Sequence, residues 1–196
     1  MTYDIEKIKR DTQAIWEATQ PWCVSMYLGG SLVDGCISDP HDIDIIFFSE
    51  KACDKIRISR LIRDYLRKKG ITGNSKEGEY DYMQVRCIEF EEMAYGSYIN
   101  KMMVKIRGRD IDFSFDVIGD DRGLYRLIAA QAIGRIESGR INPKRLYQVV
   151  RGLYVMENGS YELTAEQAAD VQALHDCDAE AYARLLPWAK ETVAHG

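Results

Sequence analysis

The sequence lacks the features that mark disulfide-stapled, secreted or membrane-spanning chains. Its five cysteines are an odd number, and none of them forms a Cys-x-x-Cys pair or a zinc-binding spacing. No apolar run approaches the roughly 20 residues of a transmembrane helix, and the N-terminus holds no apolar stretch of a signal peptide. Repeats and low-complexity segments are also absent. These absences exclude a disulfide scaffold and a zinc module, and they predict a cytoplasmic chain without a membrane partner.

Charge is distributed unevenly along the chain. The formal net charge of −5 argues against a protein that binds nucleic acids over its whole surface. Residues 51–69, however, hold eight Lys and Arg against two Asp, whereas residues 156–196 hold eight Asp and Glu against one Arg and one Lys. The basic block either meets the phosphates of a polynucleotide or forms the solvated face of a helix. The sequence leaves both interpretations open.

Hydrophobic periodicity predicts a mixed α and β fold followed by a helical unit. With 196 residues, 46% of them apolar, the chain can bury one α/β core and a small appendage. We expect a mixed β-sheet flanked by helices (α/β, or α+β) over residues 1–120 and a helical domain over residues 121–196. The elements predicted for the first domain are a helix over 4–19 that stops before Pro21, strands over 24–28, 44–48 and 82–90, a helix over 51–69, a polar loop over 71–79 and a β-hairpin over 102–118.

Two carboxylates open the second apolar run, in the order Asp42-Ile43-Asp44. Alternate side chains of a strand share a face, so Asp42 and Asp44 point the same way and repel each other. A cation relieves this repulsion, and an all-oxygen ligand set suits Mg²⁺ or Mn²⁺. Gly29-Gly30-Ser31, at the end of the first apolar run, offers backbone N–H groups that can cradle a phosphate. Metal ligands beside a phosphate cradle indicate phosphoryl or nucleotidyl transfer.

Residues 27–48 resemble the signature of the DNA polymerase beta nucleotidyltransferase superfamily, in its minimal form. That signature is an apolar strand, Gly-Ser, a short helix and then Asp-x-Asp on the next strand. Ser31 lies 11 positions before Asp42, and Gly35 follows Ser31 by four, offsets similar to those of the small members. One departure is His41, where those members often carry Ser, but this position is outside the metal ligand set. The resemblance implies a nucleotidyltransferase core, with Gly29, Gly30 and Ser31 as nucleotide-binding residues.

The superfamily needs a third carboxylate from a neighbouring strand, and the hairpin over 102–118 offers two. We predict its turn at residues 107–110, with Asp112 and Asp116 on one face of the second arm. The segment that begins at Gly108 resembles poly(A)-polymerase-like and terminal-uridylyl-transferase-like members, and this resemblance favours Asp112 as the metal ligand. Asp116 resembles the simpler apolar-Asp-apolar pattern of other members, so both remain catalytic candidates.

Four helices are predicted for the C-terminal domain. They cover 122–137, 144–156, a third helix with Thr164 as N-cap and Gln167 completing a capping box, and a fourth from about Asp178 until Pro187 interrupts it. Such a helical unit borders the nucleotide pocket in many nucleotidyltransferases. On this analogy Lys144 and Arg151, together with Arg145 and Tyr147, are candidates for triphosphate or base contact. They are equally typical of the wet side of an amphipathic helix.

The resemblance implies an enzyme that moves an NMP from an NTP, such as ATP, to a hydroxyl by a two-metal mechanism. Asp42, Asp44 and Asp112 would hold Mg²⁺ or Mn²⁺. The acceptor is an RNA 3′ end (of tRNA, for example), a protein side chain or a small molecule such as an aminoglycoside. The alternative is a catalytically idle nucleotide-binding or interaction module of the same fold, and a phosphohydrolase is a third interpretation. Oligomeric state is beyond the sequence.

Overall fold

The computed structural model describes residues 4–37, 43–49, 51–68, 83–89, 103–111, 117–119 and 122–195. Contacts divide the chain into two compact units. The first comprises Met1–Gly35 and Asp39–Ser114, and the second comprises Cys36–Ser38 and Phe115–Gly196. Strands lie in the first unit and the second contains helices, so the chain has the mixed α+β character that the sequence predicts.

Two short helices open the first unit where one long helix was predicted. They are α1 (Ile5–Asp11), capped by the Asp4 side chain, and α2 (Gln13–Thr19). The predicted continuous helix is wrong at Thr12, whose Oγ1 donates a hydrogen bond to the Ile8 carbonyl at 2.6 Å. This type of bond back to the preceding turn competes with the backbone and bends helices, which periodicity of apolar residues does not reveal.

The sheet of the first unit has four strands. They are β1 (Cys23–Gly29), β2 (Ile43–Ser49), β3 (Met83–Glu89) and β4 (Val104–Gly108), in the spatial order β3-β2-β1-β4. β1 runs antiparallel to both β2 and β4, whereas β2 and β3 are parallel. The three strands predicted before residue 100 are confirmed, and the sheet is mixed as expected. Between β1 and β2 lies α3 (Ser31–Asp34).

Helix α4 (Ala52–Lys68) connects the two parallel strands, and it confirms the helix predicted over 51–69. It packs against β2 and β3 and also against α2. Ile58 is fully buried on its inner side, whereas Arg57 and Arg60 are exposed on its outer side. This is the amphipathic arrangement that the apolar stripe predicts.

Both faces of the central strand pair are buried, which requires apolar residues at consecutive positions of β2. Ile45 and Phe47 belong to a cluster with residues of α1, α2 and α4, including Ile8, Ile15 and Ile58. Ile46 and Phe48 belong to a second cluster with Tyr27 and Ile111. The rings of Tyr27 and Phe48 meet edge to face with centroids 5.5 Å apart. The core of this unit therefore lies on both sides of β1 and β2.

The first arm of the predicted hairpin is strand β4. It ends at Gly108, which has φ +86°, and a Cβ there would lie 2.3 Å from the Val24 carbonyl oxygen. Residues 109–111 continue outside any strand, and residues 117–119 form a turn. The rest of the second arm, including Asp112 and Asp116, lies outside the described residues, as does the predicted loop over 71–79. The predicted second arm is wrong at residues 117 and 118, which lie in a turn, and over residues 112–116 it stays a prediction.

The second unit is built from helices that pack around one central helix. The elements are α5 (Arg122–Glu137), a 3₁₀ turn (Pro143–Arg145), α6 (Leu146–Asn158), α7 (Ala165–His175) and α8 (Ala179–Ala194). Helices α5, α7 and α8 all pack against α6, whose Val150, Leu153 and Val155 are fully buried. In the described part of the chain, no helix is both long and apolar enough to cross a membrane.

Most helix boundaries of the second unit agree with the prediction. The helix over 122–137 is confirmed, and Thr164 and Gln167 form the expected capping box. The predicted end at Pro187 is wrong, because α8 continues through this residue to Ala194. Leu185 and Ala189, on either side of the proline, are buried. Burial of this face stabilises the helix by more than the missing N–H bond and the ring clash destabilise it.

Candidate functional site

The turn between β1 and α3 has a backbone conformation that only glycine adopts readily. Gly30 has φ +70° and ψ −161°, a region from which a Cβ essentially excludes other residues. The chain then forms the short helix Ser31–Asp34 and leaves it through Gly35, at φ +75°. The strand, glycine turn and short helix expected in this order are therefore in the structure.

The start of β2 lies beside this turn. In the antiparallel pair, Gly29 is the register partner of Asp44, and Tyr27 is the partner of Ile46. Register partners in antiparallel strands have Cα atoms about 4.5–5.5 Å apart. A Cβ on Gly29 would lie 2.8 Å from the Ile46 Cδ1, so a larger residue at this position would require the Ile46 side chain to move. The backbone brings the glycine turn and the second Asp of the Asp-x-Asp motif to the same edge of the sheet.

The segment that leads to Asp112 is anchored on one face of this strand pair. The Ile111 N–H donates to the Tyr27 hydroxyl at 3.0 Å, and Ile111 is buried in the cluster with Ile46 and Phe48. Alternate positions of a strand share a face, so position 44 belongs to the same sheet face as Ile46 and Phe48. Ile111 therefore packs on the sheet face to which position 44 belongs.

Further contacts tie the same segment to β1. The Arg109 N–H donates to the Val24 carbonyl at 3.2 Å, and the Ser25 hydroxyl donates to the Arg109 carbonyl. Asp110, next along the chain, is exposed and pairs with the Lys105 ammonium. Residues 109 and 111 are thus held by β1, while the carboxylate of Asp110 faces solvent.

Most of the predicted metal ligands lie outside the described residues. This applies to Asp42, Asp112 and Asp116, and Asp44 and Ser31 are described for their backbone alone. Among the described residues, no three His, Cys, Asp or Glu side chains form a group able to hold a metal ion. The metal site stays a prediction. What the structure describes is the backbone of the glycine turn and its pairing with Asp44.

Lys144 and Arg151 are both in the second unit. Lys144 is half-buried in the 3₁₀ turn, which the Asn142 side chain caps by accepting from the Lys144 N–H at 2.9 Å. Arg151 is 1% exposed on α6, and its Nη1 donates to the Cys36 sulfur. The Gly29–Asp44 edge belongs to the first unit, so both nucleotide-binding assignments stay predictions.

The second unit contains a polar network that no sequence pattern predicts. Asp170 on α7 accepts hydrogen bonds from the Tyr154 hydroxyl at 2.6 Å and from the Arg184 Nη2 at 2.6 Å. Trp188 stacks on Tyr154 with ring centroids 4.6 Å apart, beside a cleft of about 300 Å³. The three polar residues come from α6, α7 and α8, and no local spacing in the sequence relates them.

The network has a clear electrostatic character. Burial alone would raise the pKa of Asp170, but hydrogen bonds from Arg184 and Tyr154 outweigh burial and hold that pKa below its ordinary value. Burial, reinforced by the hydrogen bond to Asp170, raises the pKa of Tyr154 above its ordinary value. The ionised carboxylate and the neutral phenol therefore stabilise the packing of three helices.

Comparisons with known protein families and with curated proteins identify no family for this chain. No model of a known protein family matches this chain, and no curated protein matches it. The resemblance of residues 27–48 to the nucleotidyltransferase superfamily therefore stays a prediction.

Proposed function

We propose that this protein is a metal-dependent nucleotidyltransferase that moves an NMP from an NTP to a hydroxyl acceptor and releases pyrophosphate. The observation that carries the proposal is the pairing of Gly29 with Asp44. This pairing sets the glycine turn beside Asp44, the second acid of the Asp-x-Asp motif, and phosphate binding next to a metal ion needs such an arrangement. The backbone of Gly30 supports the same proposal, because it turns the chain out of β1 and frees the amides of Gly30 and Ser31 from the strand ladder, where they can bind an anion.

The carboxylates of the motif fit a hard divalent cation. Asp42 and Asp44 are two residues apart, and their oxygens are the ligands that Mg²⁺ and Mn²⁺ prefer. Ile111 is anchored on the sheet face to which position 44 belongs, which supports Asp112 as the third ligand, with Asp116 as the alternative. When bound, the metal would offset the charge of the triphosphate and lower the pKa of the acceptor hydroxyl.

The glycine turn would hold the leaving phosphates. With φ +70° at Gly30, the amides of Gly30 and Ser31 lie in a turn rather than in a strand ladder, and such successive amides bind anions. The Ser31 hydroxyl would add one further donor to the β- and γ-phosphates. Fixing both phosphates would align the pyrophosphate for departure in line with the attacking oxygen.

The third carboxylate would act on the acceptor. Asp112 (or Asp116) would accept the proton of the attacking hydroxyl as its oxygen forms a bond to the α-phosphorus. The bond between the α-phosphorus and the oxygen that bridges to the β-phosphate breaks, and the electron pair leaves with pyrophosphate. RNA 3′ ends, protein side chains and small molecules all offer the hydroxyl that this step needs.

A labelling experiment with matched variants tests the proposal. The protein is incubated with each α-³²P-labelled NTP, Mg²⁺ and fractionated cellular RNA, protein and small molecules. Asp44→Asn should lower label transfer by about 100-fold or more, because it removes a metal ligand worth several kcal/mol. Asp110→Asn is the control, since this carboxylate is 88% exposed and pairs with Lys105.

The outcomes separate the enzyme from an idle module. Label transfer by the wild type and the Asp110→Asn variant, but not by Asp44→Asn, supports the proposal. If no fraction takes up label, or if Asp44→Asn transfers label as well as the wild type, the enzymatic function is refuted. A thermal shift with NTP but without label transfer would favour the idle nucleotide-binding module.

A further inference from the structure

The outer surface of α4 carries a row of exposed cations. We call it the α4 basic face and define it by Arg57, Arg60, Arg67 and Lys68. At 100° per residue these four positions fall within about 100° of the helix circumference, in a sector whose centre is about 130° from the buried Ile58. Because Ile58 is turned into the core and the four cations are exposed, a large anion can approach them from solvent.

These cations are weakly neutralised by the protein itself. Arg60 and Lys68 form no ion pair with any residue that the structure describes. Arg67 lies 3.8 Å from Asp64, but both side chains are largely exposed, at 74% and 62%. An exposed pair of this kind contributes little stability and is readily exchanged for another anion. The face therefore keeps most of its positive charge.

An aromatic ring extends the basic face. The Arg57 guanidinium carbon lies 4.7 Å from the centroid of the Trp22 ring. Trp22 immediately precedes β1 and is partly buried against the core. Stacked guanidinium and indole groups are surfaces on which nucleic-acid bases stack, whereas an acidic peptide needs the cations alone. The combination favours a nucleic acid over an acidic protein.

The path of α4 leads towards the proposed catalytic edge. Its first residue follows shortly after Ser49 at the end of β2, and Ser49 is the register partner of Cys23, next to Trp22. The helix packs along β2 and β3 and must return the chain to the start of β3, where Met83 pairs with Ile43. From Arg57 to Lys68 the axis advances about 16 Å. The basic face thus runs from the Trp22 edge towards the edge that holds Asp44, but on the sheet face of Ile45 and Phe47, whereas position 44 belongs to the opposite face with Ile46 and Phe48.

We propose that the α4 basic face binds a single strand of RNA, whose 3′ end passes around the end of the sheet to reach Gly29 and Asp44 on the other face. This inference rests on the proposed function and names RNA as its acceptor. The guanidinium groups contact phosphates, and a base stacks on Arg57 and Trp22. A membrane surface is disfavoured, because the apolar side of α4 is in the core and Ile56 is the one large apolar side chain described as exposed on this helix.

RNA binding without NTP tests this surface separately from catalysis. Fluorescence anisotropy measures the affinity of a short fluorescein-labelled RNA of mixed sequence, on an Asp42→Asn background. Arg60→Gln/Arg67→Gln should weaken binding roughly 10- to 30-fold at about 0.1 M salt and reduce the salt slope by about 1.4, as expected for two lost phosphate contacts. Arg135→Gln/Arg140→Gln, two exposed arginines of the second unit, is the control with the same change in charge.

Each outcome decides the proposal. Weaker binding by the α4 variant alone supports it, and equal affinity of the two double variants overturns it. Tighter binding of phosphatidylserine vesicles or polyglutamate than of RNA, lost in the α4 variant, also overturns it. If label goes to protein or small molecules while RNA is not bound, the inference fails and the proposed function stands. If RNA binds to the basic face but no fraction takes up label, the proposed function fails and the docking surface stands.

Discussion

Gly29 and Asp44 are register partners across the antiparallel pair of β1 and β2. They belong to different motifs in the sequence, a glycine turn and an acidic pair. Antiparallel pairing places the end of one strand beside the start of the next, so two residues that are fifteen positions apart in the sequence become neighbours. Substitutions in and around this pair test whether the turn and its neighbouring segment are held as the structure shows.

Replacement of Gly30 should damage the fold at the turn itself. Gly30→Ala forces a Cβ into a region open essentially only to glycine, and we expect the free energy of unfolding to fall by about 1–3 kcal/mol. Gly134→Ala is the control, because a Cβ on this helical glycine would meet only open space, and it should gain about 0.5–1 kcal/mol. Urea unfolding followed by circular dichroism measures both. An unchanged free energy of unfolding in Gly30→Ala would show that residue 30 does not need the backbone conformation reserved for glycine.

Loss of the Tyr27 hydroxyl should loosen the segment that leads to Asp112. Tyr27→Phe leaves the buried Ile111 N–H without its acceptor, which costs about 1–3 kcal/mol of stability. Faster hydrogen exchange of the Ile111 amide, measured by mass spectrometry of the peptide that contains it, is the specific readout. Tyr182→Phe in α8 serves as control and should leave both quantities unchanged. Unaltered exchange at Ile111 in Tyr27→Phe would show that the bond does not anchor this segment.

The Asp170 network should make the second unit sensitive to acid. The folded-state pKa of Asp170 lies below its ordinary value of 3.8, so its contribution to stability is complete above that value and is lost as pH falls through the lower folded pKa. Asp170→Asn should cost about 1–2 kcal/mol near neutral pH, at the low end for charged hydrogen bonds because Arg184 is 57% exposed. The difference between wild type and variant should shrink as pH is lowered through about 4 and below.

Urea unfolding at a series of pH values measures this dependence. A constant difference between wild type and Asp170→Asn from neutral to acid pH would contradict the role of the ionised carboxylate. Glu180→Gln, at an exposed position in the first turn of α8, is the matched control for a change of one acid.

Removal of the proline inside α8 should stabilise the second unit. Pro187 lies in the middle of Ala179–Ala194, where a proline costs about 3 kcal/mol relative to alanine. Proline also lowers the conformational entropy of the unfolded chain, which stabilises the folded protein by about 0.4–1 kcal/mol. The difference predicts that Pro187→Ala raises the free energy of unfolding by about 2 kcal/mol. Thermal unfolding is the measurement. A lower melting temperature for Pro187→Ala would show that the ring makes packing contacts that outweigh the helix term.

The candidate site was predictable to the extent that it depends on local residue order. The turn at Gly30, the strand before it and the start of the strand at Ile43 follow from apolar runs punctuated by glycine. The anchoring of Ile111 by Tyr27 was not predictable, because the two residues are 84 positions apart and no periodicity connects them. The same holds for Tyr154, Asp170 and Arg184.

The sequence by itself determined the elements whose signals are local: the capping box at Thr164, the amphipathic helix α4 and the strands on either side of the glycine turn. Tertiary structure alone decided the passage of α8 through Pro187 and the pairing of Gly29 with Asp44. Local signals arise from dihedral preferences and alternation of a few residues, whereas these two features depend on packing and hydrogen bonds between chain segments that become neighbours only on folding.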